Sequence, residues 1–346
     1  MNTLLNEPLA SYTSLRVGGA AEELVVVETY DNMTSALVGS KTQPWILGFG
    51  CNVLVSDNGL PGRTIIWRGG RIEVKDRELT AEAGVWWDDV VKRAIAAELW
   101  GLELMSEIPS SVGGAVFGNI AAYGQQVSDT LAWLDVFNLN TARVERYAKS
   151  GFEFSYRRSS LQNNPHLIIL RAGFTLSPTP LHELQYDAAL AVAHEFGLDQ
   201  SSLEQRRKAI IETRRRAGSL YHPDEPKSEH TAGSFFKNPI VSTEQARELA
   251  KFDETGKTLE RIESQSRIHG GDSHRSSAAH VLLAAGFSRG QTWGHIRLHP
   301  QHVLKLEALP GATAAEVYEV VQTIVHAVKA KLDIELIPEV RFLGNF

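Results

Sequence analysis

Cysteine is nearly missing from this chain. Cys51 is the only one in 346 residues. No disulfide can form within the chain, which suits a reducing compartment, and the expected location is the cytoplasm. The opening stretch, MNTLLNEPLA, has no basic segment ahead of an apolar one, so no signal peptide is expected. Positive charge is not in excess either. A net charge of −6 argues against nucleic acid as a main partner, since a phosphate backbone calls for clustered Lys and Arg. The longest uncharged stretch, residues 108–128, is broken by Pro109, Gly113, Gly114, Gly118, Asn119, Gly124 and the Gln125-Gln126 pair, so it does not read as a membrane span and no membrane association is expected. There is no G-x-x-x-x-G-K-[ST], no C-x-x-C and no H-E-x-x-H. The run His295-x-x-x-His299-x-x-His302 lacks paired acidic residues and helical register, and no bound metal is expected.

Glycine, by contrast, is concentrated in two loops. One reads Leu47-Gly48-Phe49-Gly50-Cys51-Asn52. The other is IPSSVGGAVFGNIAAYG, residues 108–124. Uncharged, glycine-rich segments let backbone N–H groups close on a phosphorylated ligand, and a dinucleotide cofactor is the natural candidate; an ordinary buried loop is the alternative. The flanks exclude one familiar arrangement. A Rossmann fingerprint opens a helix, but Val53 stands where the third glycine belongs and a β-branched strand follows. The loop joins strand to strand.

A hydrophobic fraction of 43% with 22% charged residues is that of a folded globular protein. Strands are expected over 15–28, 45–47, 53–55, 131–137, 167–174 and 334–336. Helices are expected over 32–41, 86–99 and 276–285, and from a capping box at Ser201-x-x-Glu204 to about Arg216. Residues 221–229 read as a polar connector. A second capping box, Thr313-x-x-Glu316, opens a long helix with the apolar stripe Val317, Val320, Val321, Ile324 and Val328. Strands and helices mix without strict alternation, so the fold class is α+β, with a domain boundary near residues 200–206. The basic run Arg214-Arg215-Arg216, with Arg206-Arg207-Lys208 before it, is either a solvated helix face or a phosphate clamp.

Three short segments carry chemistry: FSYRRSS at 154–160, TAGSFFKNP at 231–239 and PEVR at 338–341. Ser234 caps a turn, or it donates a proton in an apolar setting. A serine can do the latter only to a strong base such as an enolate or carbanion, so that role presupposes a carbanion-like intermediate. Arg157 is a surface ion-pair partner, or it stabilises a carboxylate or a developing enolate. Glu339 pairs with Arg341, or it takes part in catalysis. Spacing alone does not bring the three together.

AGSFFKNP, PEVRF, Y-R-x-S, the G-x-G-x-N-x-L-V-S-D loop and the second glycine loop together resemble the UDP-N-acetylenolpyruvoylglucosamine reductase (MurB) family, from Thr13 to Phe342. The resemblance implies an FAD-binding domain of the PCMH/vanillyl-alcohol-oxidase-like type followed by a smaller α/β substrate-binding domain. The implied domains are 1–68 with a C-terminal return over 335–346, then 69–205, and a substrate domain over 206–334. It implies non-covalent FAD, NADPH as co-substrate, a monomer, and UDP-N-acetylglucosamine enolpyruvate as substrate. Hydride would reach the enolpyruvyl β-carbon and a proton the α-carbon. The family's catalytic residues fall on Arg157, Ser234 and Glu339. Its flavin contacts fall on Gly48, Gly50, Cys51, Asn52, Val53, Leu54, Pro109, Ser111, Gly113, Gly114, Asn119, Ala122, Tyr123, Gly124 and Arg341. Substrate contacts fall on Tyr156, Tyr186, Arg216, Asn238 and His302, with Tyr186 at the UDP end in the family's longer, tyrosine-loop type. Three positions depart from the pattern. Cys51 replaces a serine, Ala217 a lysine for which Arg216 is the expected substitute, and His302 a glutamine. The competing readings are an FAD-dependent sugar or alcohol oxidase, which has no use for a serine acid, and a non-catalytic nucleotide-binding module.

Overall fold

A computed structural model describes residues 3–40, 42–223, 230–253, 256–260, 262 and 273–346. The chain divides into two compact units. Unit 1 is Met1–Pro8, Ala20–Cys51 and Leu60–Ser228. Unit 2 is Leu9–Gly19, Asn52–Gly59 and Glu229–Phe346.

Unit 1 is built on two sheets. The first has the spatial order Thr3–Pro8, Ala20–Val27, Leu60–Trp67, Trp45–Leu47; the outer pair is antiparallel and the others are parallel. The strand expected over 15–28 begins only at Ala20. Residues 15–19 belong to unit 2, where Leu15 and Val17 pack into the core. Gly18 has φ +112, and a Cβ there would lie 2.7 Å from the Val55 carbonyl oxygen, so the turn has room for glycine alone. The second sheet is wholly antiparallel, in the order Arg143–Ala148, Leu131–Asn138, Leu167–Thr175, Glu78–Glu82, Ile72–Lys75. Its inward residues, Leu79, Ala81, Leu134, Val136, Leu170 and Phe174, join Trp87, Val90, Val91 and Ala94 of the helix Trp87–Ala96 in one core. Strand alternation and helix period agree in placing those side chains.

The helix Leu203–Arg216 is capped one residue later than expected. Ser202 accepts the Gln205 N–H at 3.4 Å, while the Ser201 hydroxyl bonds Asp199 at 2.6 Å. It stops where expected, before Gly218 in a left-handed turn (φ +57). The boundary expected at 205/206 falls inside this helix. Arg206 pairs with Glu103 and Arg207 with Asp88, both within unit 1, so the helix stays there and the domain limits 69–205 and 206–334 are not those of the structure. The 1–68 portion is likewise divided between the units. The part of the connector over 224–229 lies outside the described residues; Tyr221, at its start, is buried.

Unit 2 has a four-stranded antiparallel sheet in the order Thr231–Ser234, Lys305–Ala308, Ile296–Leu298, Thr292–Trp293. The helix Ala314–Leu332 has the expected capping box, and the whole stripe from Val317 to Val328 is buried. Asp57 reinforces its first turn by accepting the Ala314 and Ala315 N–H groups at 2.9 and 2.8 Å, a carboxylate at the positive end of a helix. Residues 334–336 form no strand, although Ile334 and Leu336 are buried. The chain end runs back beside residues 53–55: Arg341–Leu343 is parallel to Val53–Val55, and both strands belong to unit 2. Among the described residues no helix is long and apolar enough to cross a membrane.

Candidate active site

The first glycine loop leaves the strand Trp45–Leu47 and enters Val53–Val55, strand to strand. Gly48 is required by packing. A Cβ there would lie 2.4 Å from the Ser111 Oγ, so the two glycine-rich loops press directly on each other in unit 1. Gly50 is left-handed at φ +66. Arg68, which sequence inspection passed over, donates to the Gly48 carbonyl at 3.3 Å and lies over the Phe49 ring. Burial, opposed by the charge of Arg68, pushes the Cys51 thiol up to about 12, so it is a neutral thiol at pH 7 and no nucleophile. Leu54 is fully buried in the core, so a ligand at this loop meets its backbone and not its side chain.

The second loop is fastened along its length. Trp87 N–H donates to the Ser110 carbonyl, Val112 to Val85 and Gly113 to Ala83, each at 2.9 Å. Ser111 Oγ accepts the Gly114 N–H at 3.1 Å. A Cβ on Gly113 would come within 3.1 Å of Ala83, and one on Gly114 within 2.9 Å of the Ser110 hydroxyl. Gly124, at φ +94, has nothing within 4 Å of its missing side chain. Two uncharged backbone surfaces with no side chains to hold a ligand away suit a dinucleotide such as FAD.

Asn119, expected as a flavin contact, is committed elsewhere. It is fully buried and left-handed at φ +44; its Oδ1 accepts the Ser128 N–H at 3.0 Å, and its Nδ2 donates to the Ser155 carbonyl at 3.0 Å and to Gln126. Its role is to tie the end of the second loop to the hairpin of Phe154–Ser155 and Arg158–Ser159. The Ser159 hydroxyl adds a 2.7 Å bond to the Phe117 carbonyl. Tyr156 and Arg157 are the two residues at the tip of that hairpin. Arg157 sits at φ +54, a conformation an arginine takes only when its surroundings hold it there.

In unit 2 the other two expected catalytic residues come together. Residues 338–341 bridge two elements. Glu339 N–H donates to the Phe235 carbonyl at 2.7 Å, and Phe236 pairs with Pro338, which sets Glu339 across from the residue after Ser234. On its other side, Arg341 N–H donates to the Asn52 carbonyl at 3.1 Å and Asn52 Nδ2 to the Glu339 carbonyl at 3.4 Å. The second half of the first glycine loop is thereby bonded to the same segment that holds Glu339 beside the Ser234 strand. Asn238 Oδ1 accepts the Ala278 N–H at 2.9 Å, so its carbonyl oxygen anchors the helix Ala278–Ala284. His302 is pulled down to about 4 by burial and by Lys305, His299 and Arg289 nearby. Its Nδ1 accepts the Leu304 N–H at 3.3 Å, which leaves the proton on Nε2. The other histidines of that run are also engaged: His295 with Glu316, His299 with the Gln301 N–H.

Arg216 does not stand free as a substitute for the missing lysine. It is exposed and makes a two-bond pair with Glu195 at 2.8 Å, with a third bond to Glu212. Arg214 is the arginine of this run that turns inward, because two residues along a helix are about 200° apart around its axis. Desolvation, countered by the Tyr123 hydroxyl, pulls Arg214 below its ordinary value. Its Nη2 donates to the Ser219 carbonyl at 2.7 Å, while its Nε is shielded from water with no hydrogen-bond partner among the described residues. Tyr123 also meets Tyr186 edge-on, ring centroids 5.0 Å apart. Tyr186 is 52% exposed, so it is no core aromatic; it stands at the N-cap position of the helix Asp187–Glu195, with no side-chain bond to the cap. The helical period could have singled out Arg214, four residues after the buried Ile210 and on its face; the run of three arginines hid it.

A salt-bridge cluster behind the second loop was also missed. Asp88 is fully buried, yet two 2.6 Å bonds from Arg207 and the Glu107 N–H overcome the upward push of burial and bring it to about 2. Glu107, at φ +57 immediately before Ile108-Pro109, is raised by burial and by Asp88.

Comparison with known proteins agrees with this geometry. Residues 225–343 match the C-terminal domain of UDP-N-acetylenolpyruvoylglucosamine reductase, and residues 27–147 match an FAD binding domain. The UDP-N-acetylenolpyruvoylglucosamine reductase of Mycolicibacterium gilvum is 31% identical, covering 98% of this chain and 95% of its own. That of Mycobacterium sp. strain MCS is 32% identical, covering 97% and 95%. The crystal structure of the Thermus caldophilus enzyme (MurB) superposes with a TM-score of 0.66 at 25% identity, over 99% of this chain and 98% of that one. With full-length relatives above 30% identity and the second unit matched by the family's own domain, this chain belongs to the UDP-N-acetylenolpyruvoylglucosamine reductase family of flavin-dependent oxidoreductases.

Proposed function

We propose that the enzyme reduces UDP-N-acetylglucosamine enolpyruvate to UDP-N-acetylmuramate, a step of peptidoglycan synthesis, with NADPH as the source of electrons. FAD, when bound, supplies the hydride that goes to the enolpyruvyl β-carbon. The two glycine-rich loops would hold it without a covalent bond, since the one thiol at hand, Cys51, stays protonated. Ser234 gives its hydroxyl proton to the α-carbon. Arg157, together with Glu339 acting as a neutral, protonated acid, draws electron density into the enolpyruvyl carboxylate, which lets the negative charge develop there before the proton arrives. The observation that carries this reading is the double bonding of residues 338–341, to Asn52 of the cofactor loop and to Phe235 beside Ser234.

The outer end of the substrate is a uridine diphosphate. Tyr186, Tyr123 and the inward Arg214 offer it a ring surface, a hydroxyl and a guanidinium with an uncommitted Nε. His302 supplies a neutral Nε2 donor where the family pattern has a glutamine amide, so the swap keeps a donor and adds no charge. The test is an anaerobic titration of the yellow holoenzyme. NADPH should bleach the flavin, and one equivalent of UDP-N-acetylglucosamine enolpyruvate should restore the colour. A flavin that NADPH leaves oxidised, or one that only oxygen reoxidises, contradicts the reading.

A further inference from the structure

A serine that has delivered its proton is left as an oxyanion, a costly species away from water. One lysine stands directly across from it. In unit 2, Ser234 and Lys305 are register partners on adjacent antiparallel strands. Such partners project from the same face of a sheet with Cβ atoms about 5 Å apart, within reach of a lysine stem. The neighbours of Lys305 in sequence, Leu304 and Leu306, belong to the hydrophobic core, so alternation turns Lys305 to the opposite, polar face. There Lys305 is nonetheless only 3% exposed. Farther along that face, Glu307 is taken by Arg297. His302 senses the Lys305 charge together with those of His299 and Arg289. A buried lysine on the polar side of a sheet, in register with the proton donor, is a sequence feature no motif announces.

We infer that Lys305 is a positioning residue for proton delivery: its ammonium group steadies the Ser234 oxyanion formed when the Ser234 O–H bond breaks and the α-carbon C–H bond forms. The electron pair of the O–H bond stays on Oγ, held by the lysine charge until a proton from water refills it. Lys305 exchanges nothing with substrate or flavin, and it acts only through Ser234. The inference rests on the function proposed above.

The experiment follows the two half-reactions of the FAD-loaded enzyme separately by rapid mixing. In Lys305→Met and Lys305→Gln, flavin reduction by NADPH should run at the wild-type rate, and the affinity for the enolpyruvyl substrate should stay within about threefold. Reoxidation by substrate should slow at least about tenfold, in keeping with the effect of removing a charge from a developing anion. Lys305→Arg, which keeps the charge, should recover most of the loss. The inference is overturned if the neutral variants reoxidise at the wild-type rate, if the loss lies wholly in substrate affinity, or if arginine rescues nothing. A wild-type enzyme that is not reoxidised by substrate at all overturns the proposed function, whereas a normal wild type beside normal Lys305 variants overturns only this inference.

Discussion

Burial and the charges of Lys305, His299 and Arg289 hold His302 near 4, against an ordinary value of 6.5, so the folded protein resists protonating it. The unfolded chain takes that proton more readily. Stability from this group is therefore full above about pH 6.5 and is lost progressively as pH falls towards 4, for a total of about 3 kcal/mol. Denaturant unfolding of the wild type should show this loss between pH 7 and pH 4.5, and His302→Gln should flatten it. An unchanged slope in the variant would contradict the account. At this scale the sequence was most legible where a motif surrounds the residue: AGSFFKNP and PEVRF pointed to Ser234 and Glu339, and the structure places them on bonded neighbouring segments. It was least legible where a side chain has two uses. Asn119 lies inside a cofactor motif, yet its amide is bonded to Ser128, to Gln126 and to Ser155 of the hairpin that carries Arg157. Arg214 and Arg216 look alike in a row of three, and only the helical turn separates the half-buried one from the one held by carboxylates.

Among elements, the long helix was readable because three signals agree there: Thr313 and Glu316 cap it, a 3.6-residue stripe faces the core, and Asp57 meets its first turn. The strand expected over 334–336 failed because burial of Ile334 and Leu336 produces the same apolar alternation as a strand without any ladder partner. The helix Leu203–Arg216 was seen, but its place was not, since its tie to unit 1 is made by pairs more than 100 residues apart in sequence. Arg207→Ala tests that tie. It leaves Asp88, fully buried and ionised down to about pH 2, with its main partner gone. Breaking a buried pair in this way costs about 3–5 kcal/mol. Thermal unfolding should show a large drop, and flavin should be held more weakly, because Asp88 also fixes the Glu107 N–H at the entrance to the second glycine loop. A variant as stable as wild type with unchanged flavin content would show the cluster to be inert.

At the level of the whole molecule, the two-part α+β organisation with an FAD-binding portion was legible from the glycine loops and the family motifs together. The partition of the chain was not. Unit 2 takes 9–19 and 52–59 from the amino-terminal region, and strand pairing between Val53–Val55 and Arg341–Leu343 is a long-range event that no local pattern encodes. That exchange matters for function, because it is how the loop carrying Asn52 becomes bonded to the segment carrying Glu339. The most direct measurement of the central claim is rapid mixing with Ser234→Ala in its FAD-loaded form. NADPH should reduce the flavin at close to the wild-type rate, and reoxidation by UDP-N-acetylglucosamine enolpyruvate should fall by about 10²–10⁴-fold, the span expected for loss of a general acid. If both half-reactions fall together, or if neither does, Ser234 is not the proton donor.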